Sequence, residues 1–247
     1  MQFQLRLANT FLRIYRKLGC VFWRSLLGRD PTTKRKIEPR ADLEKLGTAY
    51  GGWIVLTGLL DRNSICYCFG VGEDISFDLA LIDHFGCPVY AYDPTPKAVE
   101  HVRQYAQDYT SYHFRSLGVW DEAQTLRFYA PQNPEYVSHS ALNLQGTGSY
   151  FEAECKSLAQ LMAQNGHSRI DLLKLDIEGA EYRVIDSILD SDLDIGILCV
   201  EYDEAYNPLD RNYKKRIANS IERLEANHYQ IVAVDSKCNY TLIKQNS

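Results

Sequence analysis

Three carboxylates, Asp176, Glu178 and Glu181, fall within six residues at the end of the run Ile170-Asp171-Leu172-Leu173-Lys174-Leu175-Asp176-Ile177. Apolar residues at 170, 172, 173, 175 and 177 predict a buried strand. Gly179 then lets the chain turn into a helix through Tyr182, Val184, Ile185, Ile188 and Leu189. Acids at the carboxyl end of a central strand face the ligand crevice of an open α/β sheet. There a carboxylate can take a proton from an attacking hydroxyl, hold a hard cation or hydrogen-bond a polyol. The plainer explanation is a helix start, because acids near a helix N-terminus gain from its dipole. That explanation suits Glu181 and leaves Asp176 and Glu178 as site candidates.

A second acidic strand end follows in Cys199-Val200-Glu201-Tyr202-Asp203-Glu204. Neighbouring strands lie about 4.8 Å apart, so Asp176 and Glu201 would converge if their strands pair. Asp176, Glu178 and Glu201 are therefore the expected catalytic residues. Asp176 and Glu201 are also candidate ligands for a divalent ion, Mg²⁺ or Mn²⁺, since all donors are oxygen. The metal-free alternative uses Glu178 or His139 as base. His139 stands in a polar loop beside Ser138 and Ser140, where a solvated histidine is the plainer reading.

Gly70-Val71-Gly72 follows the apolar run Ser64–Phe69 and lies 21 residues before Asp93, itself at the end of the run Pro88–Tyr92. That spacing places an acid where nucleotide-binding βαβ units grip ribose hydroxyls. Ile75 replaces the third glycine of a dinucleotide fingerprint, and Glu73 and Asp74 follow directly. Two acids repel a pyrophosphate, which needs bare N–H groups. They suit an adenosine cofactor that carries a cation instead, such as S-adenosylmethionine. The alternative for Glu73 and Asp74 is that they only start a helix.

The elements that must position these groups alternate. Strands are predicted at 64–69, 88–92, 112–117, 125–129, 150–155, 170–177, 195–202, 229–234 and 239–243. Helices are predicted from about 74 to a stop at Gly86, from a Thr95 cap with Pro96 first to about 108, after a Ser157 cap, after Gly179, and over 210–226. The last two strands read as an antiparallel pair. Residues 130–148, with Pro131, Pro134, Gly146 and Gly148, form a long loop of the length that is often functional. The fold class is α/β, a doubly wound, mainly parallel Rossmann-like sheet with helices on both faces.

The 247 residues carry a net charge of −5 that hides an asymmetry. Residues 1–40 hold ten Lys/Arg against Asp30 and Glu38, a formal +8, so the rest carries −13. Leu7, Phe11, Ile14, Leu18, Phe22 and Leu26 recur at helical spacing in this basic arm. The division is an arm, 1–40, and a main domain, 41–247. Such a helix either packs on its own acidic domain or touches an anionic membrane at the periphery. Arg13, Arg16 and Lys17 interrupt any secretory signal, and the longest uncharged run, Leu46–Leu60, is too short to span a bilayer. Seven cysteines follow no zinc spacing; Cys66, Cys68 and Cys199 read as core residues of a cytoplasmic protein.

Over about Leu46–Lys244 the chain resembles the FkbM-type S-adenosylmethionine-dependent methyltransferases. The resemblance is carried by Asp171-Leu-Leu-Lys174-Leu-Asp176-Ile-Glu178-Gly179-Ala180-Glu181. Gly70-Val71-Gly72-Glu73-Asp74-Ile75-Ser76-Phe77-Asp78, Tyr92-Asp93-Pro94-Thr95-Pro96 and Tyr50-Gly51-Gly52-Trp53 add to it. Cys68 and Asp74 depart from the wider methyltransferase loop, which has an acid and a glycine at those places. The resemblance implies a class I methyltransferase sheet with S-adenosylmethionine against Gly70 and Gly72. Glu73 or Asp74 would lie near its methionine end, Asp93 on the ribose, and Leu117-Gly118-Val119 near adenine. Trp120 there is either a stacking ring or core. It implies O-methylation of a hydroxyl on a sugar, glycan or secondary metabolite. The rivals are an NAD-type oxidoreductase on a similar sheet and a non-catalytic binding module that retains the fold. Nucleic acid is not an expected partner, because the main domain is strongly acidic. The oligomeric state is not legible.

Overall fold

A computed structural model describes residues 28–235 and 238–245. Strands β1 (Leu43–Leu46) and β2 (Trp53–Leu56) form a hairpin. The alternating units are β3 (Cys66–Phe69), α1 (Ser76–Phe85), β4 (Val89–Tyr92), α2 (Pro96–Tyr105) and β5 (Tyr112–Arg115). Then come β6 (Gly118–Trp120), β7 (Gln124–Tyr129), β8 (Tyr150–Ser157) and α3 (Leu158–Asn165). The last part is β9 (Arg169–Leu175), α4 (Glu181–Asp190), β10 (Asp194–Glu201), α5 (Tyr213–Ala226), β11 (Tyr229–Val234) and β12 (Asn239–Lys244).

Seven strands form one sheet in the order β11-β12-β10-β9-β3-β4-β5. Pairs β10–β9, β9–β3, β3–β4 and β4–β5 are parallel; β12 runs antiparallel to both β10 and β11. Both faces of the central strands are buried, so they read as apolar runs without polar alternation. Tyr67, Phe69, Leu173, Leu175, Leu198 and Val200 face α3, α4 and α5. Cys66, Cys68, Leu172, Ile197 and Cys199 face α1, α2 and the β1–β2 hairpin. Helix α4 presents Glu181, Val184, Ile185 and Ile188, one turn apart, to the sheet.

Several expectations need correcting. Residues 112–117 do not make one strand: β5 ends at Arg115, and β6 leaves for a separate three-stranded sheet, β6-β8-β7. The strands read at 125–129 and 150–155 belong to that sheet too. Their polar residues alternate along β7 and β8 because one face is solvated. Thr95 stands at the α2 N-cap, yet its hydroxyl makes no cap bond and donates to Asp93 Oδ1 at 2.7 Å. Ser157 does cap α3, through a reciprocal box with Gln160. Gly86 ends α1 in the left-handed conformation.

Of the basic arm, residues 28–40 pack on the main domain. Asp30, fully buried, accepts from the Thr32 and Thr33 amides and from the Tyr240 hydroxyl. Arg35 pairs with Glu222 and Glu225 on α5. The amphipathic helix expected over residues 7–26, and any membrane contact by it, lies outside the described residues. No helix among the described residues is long and apolar enough to cross a membrane.

After β3 the chain moves outward to β4 and β5, then returns to lay β9 on the other side of β3. The crevice of such a sheet opens where the order reverses, between the carboxyl ends of β3 and β9. Backbones cross closely there: a Cβ on Gly70, at φ +78°, would stand 1.6 Å from the Asp176 carbonyl oxygen. Gly72 also has a positive φ, but the nearest atom to its Cβ would be Val137 Cγ2 at 3.4 Å. Gly70→Ala should therefore lower the unfolding free energy by about 3 kcal/mol or more, and Gly72→Ala by only about 1 kcal/mol. Urea denaturation checks this; similar losses for both would contradict the packing described.

Candidate active site

At the carboxyl ends of β3, β4, β9 and β10 lies a cavity of about 820 Å³, large enough for a cofactor with part of an acceptor. Every residue expected from the sequence lines it: Gly70, Gly72, Glu73, Asp74, Asp93, Gly118, Asp176, Glu178 and Glu201. The long loop between β7 and β8 covers one side with Gln132, Asn133, Val137, Ser138 and His139.

The glycine turn is shaped from below. Asp93 is buried, and its Oδ2 accepts from the Val71 and Gly72 amides, each at 2.9 Å. Its Oδ1 takes the Thr95 amide and hydroxyl, each at 2.7 Å. All four acceptor positions of this carboxylate are filled, so in this state Asp93 organises the turn. Asp74 accepts from the Ser76 amide at 2.9 Å and from the Thr48 hydroxyl. These bonds hold its carboxyl below the usual range although partial burial works against them.

Lys174 was only part of a motif in the sequence and proves central. Its side chain lies buried at 5% exposure with Nζ 3.5 Å from Asp176 Oδ2 and 5.8 Å from the Trp53 ring centre. The ammonium also donates to the Gly70 carbonyl. Burial alone would lower its pKa; Asp176 and Asp78 more than offset that, and the net shift is upward.

The chain after β9 is bent tightly. Glu178 adopts φ +54°, unusual for a residue with a side chain, and Gly179 follows at φ +102°. The Ser140 hydroxyl, from the covering loop, donates to the Glu178 carbonyl at 2.6 Å. Glu181 Oε1 accepts from the Ile177 and Gly179 amides, both at 3.1 Å, so this fully buried acid braces the turn. It does not cap the helix, whose N-cap Ala180 has no side-chain cap bond; it holds the preceding turn instead. Burial pushes Glu181 up to about 8. Burial and then Asp176 push Glu178 up to about 7. Asp203, 6% exposed, is held well above the ordinary carboxylate range by burial, then by Glu178 and Glu181.

Oxygens of Asp176, Glu178 and Asp203 all lie within 4.8 Å of one another. Glu201, expected from the sequence to share a metal with Asp176, is not in that set. Asp176 and Glu201 do end neighbouring parallel strands. The chain bends after Glu201, however, and Asp203 opens a short 3₁₀ turn (Asp203–Ala205) that brings it inward. Asn207, Tyr206 and Asn239 were missed as well. Asn239 pairs with Glu201 across the β10–β12 ladder, a register invisible before the sheet is known. His139 has its ring against its own loop, Nδ1 2.9 Å from the Val137 carbonyl oxygen. Trp120 is buried at 6% exposure with Arg183 over its ring at 5.3 Å, and it also lines the cavity.

Comparison with known proteins gives a family. The methyltransferase FkbM domain matches residues 40–240. Two curated relatives are named probable methyltransferase-like protein 24. The human protein is 28% identical over 135 residues, 53% of this chain and 30% of its own length. The rat protein is 27% identical over 128 residues, 51% of this chain and 29% of its own length. The chain thus spans about three tenths of the curated relatives it matches. Among solved structures, Methanococcus jannaschii fibrillarin pre-rRNA processing protein superposes with TM-score 0.46 at 12% identity, covering 84% of each chain. Aeropyrum pernix fibrillarin with bound S-adenosyl-L-methionine gives TM-score 0.40 at 8% identity, covering 83% of each.

The raised acids tie stability to pH. Glu181 titrates near 8 in the fold, against roughly 4.3 in an unfolded chain, so folding takes up a proton between those values. Its contribution is fully present below about pH 4 and is lost as pH rises through 8. Unfolding free energy should fall by about 1 kcal/mol per pH unit between pH 5.5 and 8. Glu181→Gln, which keeps an acceptor for the two amides, should flatten that slope in urea titrations at both pH values. An unchanged slope would remove Glu181 from the titrating set.

Proposed function

This chain belongs to the methyltransferase FkbM domain family, and from that premise we propose that it moves a methyl group from S-adenosylmethionine to a hydroxyl of a sugar, glycan or hydroxylated metabolite. The observation that carries this reading is the meeting, in one cavity, of the glycine turn and the acids at the ends of β9 and β10. The wall suits a cationic cofactor: Gly70 and Gly72 expose backbone, and Glu73 and Asp74 supply negative charge beside them. When bound, S-adenosylmethionine supplies a methyl group on a sulfonium, ready for in-line displacement. Alignment of the two reactants can then be worth roughly 7–11 kcal/mol.

What this chain must add is a base and a track for the acceptor. Glu178 lies in the cavity beside Asp176, and burial pushes its carboxyl up to about 7, well matched to accepting a hydroxyl proton near neutrality. The new O–CH₃ bond forms as S–CH₃ breaks, and the hydroxyl proton goes to Glu178. The strained backbone at Glu178 and the Ser140 bond to its carbonyl hold that carboxylate in place. Asp93 and Lys174 serve by positioning the turn. Ribose binding by Asp93 requires it to release one of its present donors. Nucleic acid is not the acceptor in this reading, since the walls are acidic.

Glu178→Gln should lower kcat about 10²–10⁴-fold while S-adenosylhomocysteine still binds. The wild-type rate should rise with pH to a plateau above about 7, because only the unprotonated carboxylate accepts the proton. A variant with unaltered kcat would contradict Glu178 as base.

A second reading has one observation in its favour. The oxygen set of Asp176, Glu178 and Asp203 suits Mg²⁺ or Mn²⁺. A cation there would orient the acceptor oxygen and replace the base. Loss of turnover in chelator with recovery on adding Mg²⁺ or Mn²⁺ would favour it. Full activity in chelator would leave the three acids to proton transfer and hydrogen bonding.

A further inference from the structure

The charge of the cavity is one-sided. Among the described residues that line it, eight bear carboxyl groups, one is a lysine and none is an arginine. The lysine is already engaged: Lys174 is buried, donates to the Gly70 carbonyl and faces Asp176. It therefore has no reach toward an incoming anion. Suppose Glu178 and Asp203 both hold protons and the cofactor brings its single net positive charge. Four carboxylates still remain in excess. Low-dielectric walls focus such a field into the opening, so anions are repelled from it.

Two further features describe what the opening accepts. Tyr50 and Tyr206 line the cavity yet stay 75% and 52% exposed, which places flat apolar rings at its mouth. Both rings line the same cavity as Asp176, Glu178 and Glu201. Inside, Asn239 is 7% exposed, and its Oδ1 has no hydrogen-bond partner among the described residues. A buried amide oxygen left unpaired is costly, and this one lines the cavity, where a ligand can supply the missing donor. Hydroxyls supply such a donor; phosphate, sulfate and carboxylate oxygens do not.

On the methyl-transfer reading above, we infer that the acceptor subsite takes an uncharged, hydroxyl-bearing ring, with Tyr50 and Tyr206 as its apolar platforms and Asn239 as an acceptor for one of its hydroxyls, and excludes acceptors that carry phosphate, sulfate or carboxylate groups.

The test starts with the full chain and a small-molecule and glycan extract of its source cells. The extract is split by anion exchange at pH 7.5 before any reaction. Each pool is then incubated with the protein and methyl-labelled S-adenosylmethionine. Label should enter the unretained pool at least about tenfold faster than the retained, anionic pool. Equal labelling, or more in the anionic pool, overturns the inference. An ammonium-bearing acceptor in the unretained pool, identified by mass spectrometry, would overturn the uncharged part of it.

Asn239→Leu and Tyr206→Ala should each slow labelling at dilute extract by up to about tenfold, with the rate recovering at concentrated extract. Tyr206→Phe, which keeps the ring, should slow labelling less than Tyr206→Ala does. Unchanged labelling by both Asn239→Leu and Tyr206→Ala contradicts the assigned subsite. Calorimetry with S-adenosylhomocysteine separates the two levels: a protein that does not bind it at all fails the methyl-transfer reading, not the acceptor assignment.

Discussion

Everything in this site hangs on one close approach, the backbone of Gly70 against the carbonyl of Asp176. No side chain fits between them, and the gap is bridged by Lys174, which touches both the Gly70 carbonyl and the Asp176 carboxylate. The turn after β3 and the turn after β9 are therefore one unit. The first lines the cavity with the glycine turn, the wall proposed for the cofactor, and the second carries the acids. On the methyl-transfer proposal, a shift of either by an ångström would misalign the two reactants.

The cost of that arrangement is charge. Asp176, Glu178, Glu181 and Asp203 crowd together, with Lys174 the single buried cation beside them among the described residues. Desolvation and mutual repulsion favour proton uptake, and the pKa values of Glu178 and Glu181 rise into the neutral range for that reason. The fold tolerates this because Glu181 also braces the turn through two amides. A group poised near neutrality is what proton transfer from a hydroxyl calls for. Strain at Glu178 points the same way, since residues held in sparsely populated backbone regions concentrate at functional sites.

The parallel strands and their helices were legible because apolar runs, glycine stops and caps are local signals. The spacing between Gly72 and Asp93 was legible too, although in the structure Asp93 accepts from the Val71 and Gly72 amides. The acid at β10 was only half legible. Glu201 ends the strand, but the chain bends two residues later and Asp203, not Glu201, joins Asp176 and Glu178. Strand-end reasoning has no access to that bend. Lys174 read as part of an apolar run, since nothing in the sequence says which interior lysine has two partners waiting. The three-stranded β6-β8-β7 sheet escaped because period-two alternation identifies a strand and not the sheet it joins. Asn239 needed the β10–β12 register before it could be placed opposite Glu201.

A crystal structure with S-adenosylhomocysteine bound examines the joined turns most directly. The expected result is a ligand whose sulfur lies between the Gly70–Gly72 backbone and the carboxylates of Asp176 and Glu178, with Lys174 still bridging the two turns. A ligand held elsewhere on the chain, or bound with the Gly70 and Asp176 turns drawn apart, would contradict it.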